Sequence, residues 1–490
     1  MIDDLQAILL ANAKNHPGRL AVDGGKLGQL TYGELFGAAA HRAETLVGLR
    51  SVGILSNRRP ETYCAVLACF LAGVAFTPLN PKFPSARLAK IADLSEVDFV
   101  YCDSSTVGAA TEMDISFEEL PAPPELASGS TKLPVARETV AAETVYRMFT
   151  SGSTGEPKGV PIPYGALDHY VRAIRELISF PEASRFSQLF DLSFDLSMHD
   201  IFVALANGST IVPASDLNLM MPHSYVAKQR IDVWFSVPML AMVAARGLAD
   251  KIPEHRLQLG LFCGEALPID YVSRFRALME DGAPVWNLYG PTEATIAFTA
   301  RQVPRGNVNW RMAPLGEPFG ANRIALLDDQ SAVRPVTEGS AGELLLGGPQ
   351  VFRGYVPHRM DPFCRIGDDV FYRSGDIVRF HEGELHFTGR ADGQVKIRGM
   401  RIELPEIESA FRNVLGCDTA AAVVHGDQDC AEIRVAYTRL GKLDSIRALA
   451  EVLPEYMLPA RIWHLPELPV NQNGKVDRKT LGSMEWPTEP

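Results

Sequence analysis

Two spacings of apolar residues alternate along this chain. Leu5 to Ala13 and Leu35 to Leu49 repeat at helical intervals, whereas Ser51–Leu55, Asp98–Tyr101, Thr210–Val212 and Asp232–Phe235 are short apolar runs of strand length. The longest apolar run, Cys64 to Phe76, is too short to span a membrane and meets Thr77-Pro78, so it predicts a buried helix passing into a strand. Helix and strand in this rhythm predict parallel sheets covered by helices. Residues 104–143, rich in Ala, Pro, Ser and Glu, read as a surface excursion. After about residue 320 the spacing shortens. Ala341–Leu346, Asp376–Phe380 and Glu384–Phe387 alternate as strands of a smaller antiparallel layer. The last hundred residues predict a compact α+β unit: helix Pro405–Val414, strands Thr419–Val424 and Glu432–Tyr437, helix Leu443–Val452. The expected fold class is therefore α/β, with a large N-terminal region of parallel sheets and a small antiparallel layer, followed by a small α+β C-terminal domain. The boundary falls near Arg390-Ala391-Asp392-Gly393, giving domains 1–391 and 392–490, and the tail from Ser483 reads as loose.

Composition narrows the function classes. A chain of 490 residues exceeds one ordinary core, and 46% hydrophobic with 22% charged residues is globular usage. A net charge of −12 argues against nucleic acid or an anionic membrane as partner, while still allowing a local basic pocket. Seven cysteines include no C-x-x-C pair, so reduced, mostly buried thiols in a cytoplasmic protein are expected. The acidic start Met1-Ile2-Asp3-Asp4 is unlike a signal peptide. His381-Glu382-Gly383-Glu384-Leu385-His386 looks like a zinc helix, but its histidines lie five apart rather than four and share no helical face.

The densest chemistry is Phe149-Thr150-Ser151-Gly152-Ser153-Thr154-Gly155-Glu156-Pro157-Lys158-Gly159, directly after the strand-like Val145–Met148. Glycines let backbone N–H groups turn inward, hydroxyls donate, and a lysine adds mobile positive charge, which together suit a phosphate. The spacing fits neither the Walker loop, nor the dinucleotide fingerprint, nor a nucleophile elbow. A flexible Gly/Ser hairpin is the equal alternative for such a loop taken alone.

That loop resembles the signature of the adenylate-forming superfamily of amino-acid adenylation domains, acyl-CoA ligases and luciferases. Further matches follow in the family's order: Leu30–Leu35, Ala72–Pro81, Asn287-Leu288-Tyr289-Gly290-Pro291-Thr292-Glu293, Gly342-Glu343-Leu344 to Gly354-Tyr355, Tyr372–Asp376, Gly389–Gly399 and Asn473–Arg478. The resemblance covers nearly the whole chain. It implies ATP and Mg2+ as cofactors, with Thr150, Ser151, Gly152, Ser153, Thr154, Gly155 and Lys158 on the β- and γ-phosphates, Thr292 on the α-phosphate and Glu293 on the metal. It implies Tyr289 stacked on adenine with Asn287 at its edge, Asp376 on the ribose hydroxyls and Arg390 near ribose and phosphate. Lys475 would bridge the reacting carboxylate and the ATP oxygen, stabilising both charges as they meet. Asp392 falls where the family places the hinge that rotates its small domain and presents the Gly399-Met400-Arg401 loop for thioester formation.

The substrate is read from Phe190-Asp191-Leu192-Ser193-Phe194-Asp195-Leu196-Ser197, where one tetrapeptide occurs twice. Amino-acid adenylation domains carry a Phe-Asp pair with an acid five positions on, which Asp195 and Asp200 satisfy and Asp191 and Leu196 do not. By resemblance Asp195 pairs with the substrate α-ammonium. The remaining pocket positions align as Leu196, His199, Phe235, Leu261, Cys263, Leu288, Ile296 and Ala297, bulky walls that favour a small side chain. Leu261–Pro268 closely resembles the D-alanine:D-alanyl carrier protein ligases, but His199 stands where that group has an apolar residue. A polar contact and simple packing are both open for this histidine, and alanine of either hand, glycine, serine or another small amino acid fit the pocket. With no carrier segment after Arg478, the expected acceptor is the phosphopantetheine thiol of a separate carrier protein. The implied activity is AMP-forming amino acid:carrier protein ligation. A CoA ligase for a small carboxylic acid and a non-catalytic nucleotide-binding protein on the same fold are the rivals.

Overall fold

The computed structural model describes residues 4–123, 125–129, 133, 136–150, 157–246, 255–306, 308–357, 362–391, 394–397, 399–426, 431–438, 446–470 and 476–487. The chain divides into two compact units. One comprises residues 1–81, 94–148 and 160–391, the other 82–93, 149–159 and 392–490. No helix among the described residues is long and apolar enough to cross a membrane.

Among the described residues, the first unit holds one sheet of nine strands. Its centre is parallel, with Leu20–Asp23, Thr210–Pro213, Arg185–Gln188, Val233–Ser236, Leu259–Phe262 and Val285–Tyr289 side by side. The edges turn antiparallel at Gln29–Thr31 and at Thr299–Gln302 with Glu317–Pro318. A six-stranded sheet is built around Ser51–Leu55, flanked in parallel by Phe99–Cys102 and Ala75–Leu79. The predicted helix-to-strand run is present as helix Pro60–Ala72 and strand Ala75–Leu79. Proline at the first helical turn and Gly73 in the left-handed conformation bound this helix. It is apolar on every side and almost wholly buried, as that composition demands. Its Phe70 meets Tyr164 and Phe202 at 5.7 and 5.1 Å, so three helices share one core.

The antiparallel layer is a six-stranded sheet, with Ala341–Gly347 between Arg323–Leu327 and the long Asp369–His381 strand, onto which Glu384–Arg390 folds back as a hairpin. His381 and Glu384 face each other across that hairpin, so the apparent zinc helix is two strands. In the second unit, helix Leu404–Leu415 packs on Thr419–His425 and its neighbours Glu432–Thr438 and Arg461–His464.

Three local expectations need correction. The second helix starts at Tyr32, because Thr31 and Glu34 form a reciprocal capping box that fixes its first turn. Residues 104–143 contain the helix Val107–Glu112 and the edge strand Phe117–Glu119, and they bury Leu120 and Leu126. The tail is docked: Trp486 is 7% exposed, donates from Nε1 to the Leu481 carbonyl at 3.1 Å, and packs at 5.4 Å from Trp463. Of the predicted helix Leu443–Val452, the described part is helical over Ile446–Leu449.

Candidate active site

The site is assembled at the C-terminal ends of parallel strands, where an open α/β sheet offers its crevice. Phe235 lies opposite Leu261, and Leu261 opposite Trp286. Because strand side chains alternate, Phe235, Leu261, Cys263 and Leu288 point to one face of the sheet. All four are at most 1% exposed, as are Ile296 and Ala297. Four of the aligned pocket positions therefore share one buried face of the sheet, and Ile296 and Ala297 are buried in the same core cluster.

Helix periodicity supplies the polar end. Asp195 begins the helix Leu196–Met198, which widens into a π-turn over His199–Val203, a local irregularity often found at functional sites. One turn separates Asp195 from His199, so both project from the same side. The two copies of the tetrapeptide behave differently. Asp191 caps its own loop, accepting from the Ser193 amide at 3.0 Å and hydroxyl at 2.8 Å. Asp195 reaches across the molecule and accepts from the Ile296 amide at 3.2 Å. Burial pushes its carboxyl up to about 6; the Ile296 amide and Thr292 hydroxyl favour the charge, whereas the charge of Glu293 opposes it. Among the described residues no lysine, arginine or histidine ion-pairs with Asp195. Asp200 is also fully buried, and burial holds its carboxyl well above the usual range.

His199 is 0% exposed and burial lowers it to about 3, leaving a neutral ring. Its Nδ1 shares a hydrogen with the Tyr170 hydroxyl at 2.7 Å, its face lies 4.5 Å from Phe235, and Nε2 has no partner among the described residues.

Between pocket and nucleotide-side residues runs the turn 290–298, which joins antiparallel neighbours Val285–Tyr289 and Thr299–Gln302. It is too tight for a side chain at Gly290, where a Cβ would come within 2.7 Å of the Ala297 Cα. A single 3-10 turn holds Thr292 and Glu293, then Thr295 and Ile296 both take positive φ, 58° and 69°. The Glu293 carboxylate is 0% exposed and accepts from the Tyr355 hydroxyl at 2.7 Å.

Beyond the turn stands a further buried carboxylate. Asp376 accepts from the Tyr289 hydroxyl at 2.5 Å on one oxygen and from the Arg390 guanidinium on the other. Strand register makes this pairing, since Asp376 and Arg390 are directly opposed. Arg390 also donates to the Ser374 carbonyl at 3.2 Å. Burial, and then the Asp376 charge, hold the Tyr289 phenol well above its ordinary range. Asn287 donates to the Pro314 carbonyl at 2.8 Å, while its Oδ1 is buried without a donor among the described residues. Such an orphan acceptor is what an exocyclic amine would satisfy.

In the second unit, Thr150 ends the Thr144–Thr150 strand with its hydroxyl buried and unpartnered among the described residues. Lys158 begins the next strand, its ammonium 3.7 Å from the Glu403 carboxylate. Ser151, Gly152, Ser153, Thr154, Gly155, Asp392 and Lys475 lie outside the described residues. Sequence reasoning missed Tyr170, Gln350 and His169, and quoted Tyr355 within a motif without giving it a role. Tyr170, Tyr355 and Gln350 enter through contact with His199, Glu293 and Ala297, and His169 enters through Gln350.

Residues 9–356 match the family model for AMP-binding enzymes. The L-proline:L-prolyl-carrier protein ligase of Streptomyces coelicolor is 31% identical over 94% of this chain and 93% of its own. Surfactin synthase subunit 2 of Bacillus subtilis is 33% identical over 96% of this chain, which spans only 13% of that relative; the next curated relatives matched are likewise covered to less than half their length. Among solved structures, the Vibrio cholerae adenylation domain AlmE, in complex with glycyl-adenosine-5'-phosphate, superposes with a TM-score of 0.86 at 27% identity over 98% of both chains.

Proposed function

The chain belongs to the AMP-binding enzyme family, and on that premise we propose that it activates a small amino acid with ATP and passes it to the phosphopantetheine thiol of a separate carrier protein. The observation that carries this reading is Asp195: a buried carboxylate that accepts from the Ile296 amide and the Thr292 hydroxyl and, among the described residues, ion-pairs with no cation. A carboxylate so placed is completed by a cationic ligand, and the α-ammonium of an amino acid is such a group. A carboxylic acid lacking an amine would leave the charge uncompensated, which disfavours a CoA ligase for such acids. The similarity to a proline:carrier protein ligase and to an adenylation domain holding glycyl-adenosine phosphate supports the same reading.

In this reading the substrate carboxylate attacks the α-phosphorus and pyrophosphate leaves; the carrier thiol then attacks the acyl carbon and AMP leaves. Asp195 seats the ammonium while Phe235, Leu261, Cys263, Leu288, Ile296, Ala297 and Leu196 close the pocket around a short side chain. Asp376 takes the ribose hydroxyls, Asn287 offers Oδ1 to the adenine amine, Tyr289 stacks on the base and Arg390 lies beside the ribose. Thr292 reaches the α-phosphate. Thr150 and Lys158, with residues 151–155, hold the outer phosphates, and Lys475 bridges the two reacting anions. Residues 392–490, hinged at Asp392, form the mobile domain that brings Lys475 to residues 1–391.

Glu293 fits a magnesium ion in donor type. Among the described residues no cluster of three His, Cys, Asp or Glu could hold a metal unaided, and magnesium commonly takes one or two carboxylates beside phosphate oxygens. Bound there, the ion would offset the charge of the phosphates.

The test is ATP–pyrophosphate exchange driven by single amino acids of both hands, with β-alanine and short amine-free acids alongside. Exchange with one small amino acid is expected. Exchange with amine-free acids alone would transfer the reading to the CoA ligases.

A further inference from the structure

We propose that Gln350 is a positioning residue for amino-acid recognition: its carboxamide holds residues 294–297 in the left-handed turn that directs the Ile296 amide at Asp195. The proposal rests on the functional reading above and assigns a role to a residue that never meets the substrate.

The turn needs an outside support. Thr295 and Ile296 are β-branched neighbours, both at positive φ. Such residues are strained and persist only where their surroundings over-determine them. The hydrogen bonds within the turn, Thr295 N–H to the Thr292 carbonyl at 3.0 Å and Ala297 N–H to the Thr295 carbonyl at 2.9 Å, leave the carbonyls of 294 and 297 without a partner inside it.

Gln350 supplies what is missing. It is 0% exposed and follows the Ala341–Gly347 strand. Its Nε2 donates to the Ala297 carbonyl at 2.7 Å and shares its second hydrogen between the carbonyls of Ala294 and Thr295, each at 3.2 Å. In return the Thr295 hydroxyl donates to the Gln350 carbonyl at 2.6 Å. Three of the four residues around the strained pair are thus tied to one side chain.

The amide is itself held in a single orientation. Its Oε1 accepts from Asn322 Nδ2 at 2.8 Å and from His169 Nδ1 at 3.0 Å. The tautomer of His169 follows from its other nitrogen, since Nε2 accepts the Ala321 amide at 3.0 Å and the hydrogen must sit on Nδ1. Burial lowers the basicity of this histidine, which keeps that neutral form. A flipped carboxamide would face two donors with an NH2 group and three carbonyls with an oxygen. The network therefore admits one arrangement, and its only product on the ligand side is the Ile296 N–H at 3.2 Å from the Asp195 carboxylate.

The test uses Gln350→Met, equal in length but without hydrogen bonds, and Gln350→Asn as the milder variant should the first fail to fold. In ATP–pyrophosphate exchange, Gln350→Met is expected to raise the amino-acid KM roughly tenfold, the worth of one charged hydrogen bond, with the ATP KM nearly unchanged. Adding Thr295→Gly, which accepts positive φ without support, should recover part of the amino-acid KM. A purely structural residue would raise both KM values together, and that outcome overturns the proposal.

A second readout needs no substrate. Asp195 is faced by Thr292 and Glu293 on the turn, by Tyr146 on the Thr144–Thr150 strand and by Tyr170 on the Tyr164–Leu177 helix. The ligand-free enzyme should show a step in thermal midpoint against pH that Asp195→Asn abolishes. Gln350→Met or Gln350→Asn should move that step to higher pH, because the lost amide favoured the charge. A step that stays in place overturns the proposal even if no amino acid is found to drive exchange, whereas a shifted step without exchange overturns the functional reading alone.

Discussion

Two carboxylates of the first unit, Asp195 and Asp376, are both more than nine-tenths buried, yet they are treated in opposite ways. Asp376 has each oxygen engaged, one by Tyr289 and one by Arg390, and the ion pair is complete before any ligand arrives. Among the described residues Asp195 has the Ile296 amide and the Thr292 hydroxyl but no cation, and burial pushes it up to about 6. The first is a finished part of the framework that a neutral diol can join. The second, on the proposed function, is completed by the cation of the ligand. On the proposed function, selectivity for an amine resides at the carboxylate that, among the described residues, has no ion-pair partner, and rigidity resides at the one that has.

The comparison can be broken most sharply by deleting charge. Asp195→Ala should cut amino-acid-dependent exchange by roughly 10²–10³-fold, the worth of a buried ion pair of about 3–4 kcal/mol. Unchanged exchange would mean that the ammonium sits elsewhere. A loss as deep is expected for Lys475→Ala, with nucleotide binding retained in equilibrium titration; near-normal adenylate formation by that variant would remove Lys475 from the chemical step.

Stability gives the next effect, and here the two sites should differ in sign. Asp376→Asn strands Arg390, whose side chain is 12% exposed, and should destabilise the enzyme by about 3 kcal/mol. Asp195→Asn removes a charge the ligand-free fold does not neutralise and should stabilise it at pH 8 by about 2 kcal/mol. Denaturant titration of both variants decides the matter. Two losses of equal size would show that Asp195 is a framework residue after all.

A gentler probe is pH. The carboxyl of Asp195 is about 6 in the folded chain against an ordinary value near 4, so folding favours its protonated form. Its contribution to stability is complete below about pH 4 and is lost as pH rises through 6. Melting temperatures of the ligand-free enzyme should show this loss, and saturating amino acid should shrink it. Substrate kcat/KM should run the other way, falling as pH drops below about 6. The smallest effect is reserved for Tyr170→Phe, which removes the hydroxyl at His199 Nδ1. About 1 kcal/mol, or a change of roughly fivefold in the amino-acid KM, is expected.

Much of this was legible in the chain. Apolar spacing located the helix Pro60–Ala72 and its strand, because a segment buried on all sides must be apolar on all sides. The five-residue interval to Asp200 separated Asp195 from its twin, and the structure gives those twins a cross-molecule contact and a local cap respectively. Gln350, His169 and Asn322 were not legible. Each is an ordinary polar residue, and only the convergence of three separate segments makes them a network. Trp486 was misread for a similar reason, since a polar tail with one tryptophan shows nothing of the Trp463 face it covers. The Thr31–Glu34 capping box is visible in sequence, ahead of the apolar run from Leu35.

The crowding at Gly290 has a consequence for altering the enzyme's choice of substrate. A pocket bounded on one side by a backbone that cannot accept even a methyl group, and on the other by side chains from three adjacent strands, can be re-bored from only one direction. On the proposed function, Phe235, Leu261 and Leu288 are the adjustable walls, and the turn is the fixed datum from which a substrate is measured. Libraries that exchange apolar residues of similar volume on the sheet face should yield new side-chain preferences while the fold is kept, whereas libraries that vary residues 290–297 should return mostly inactive chains.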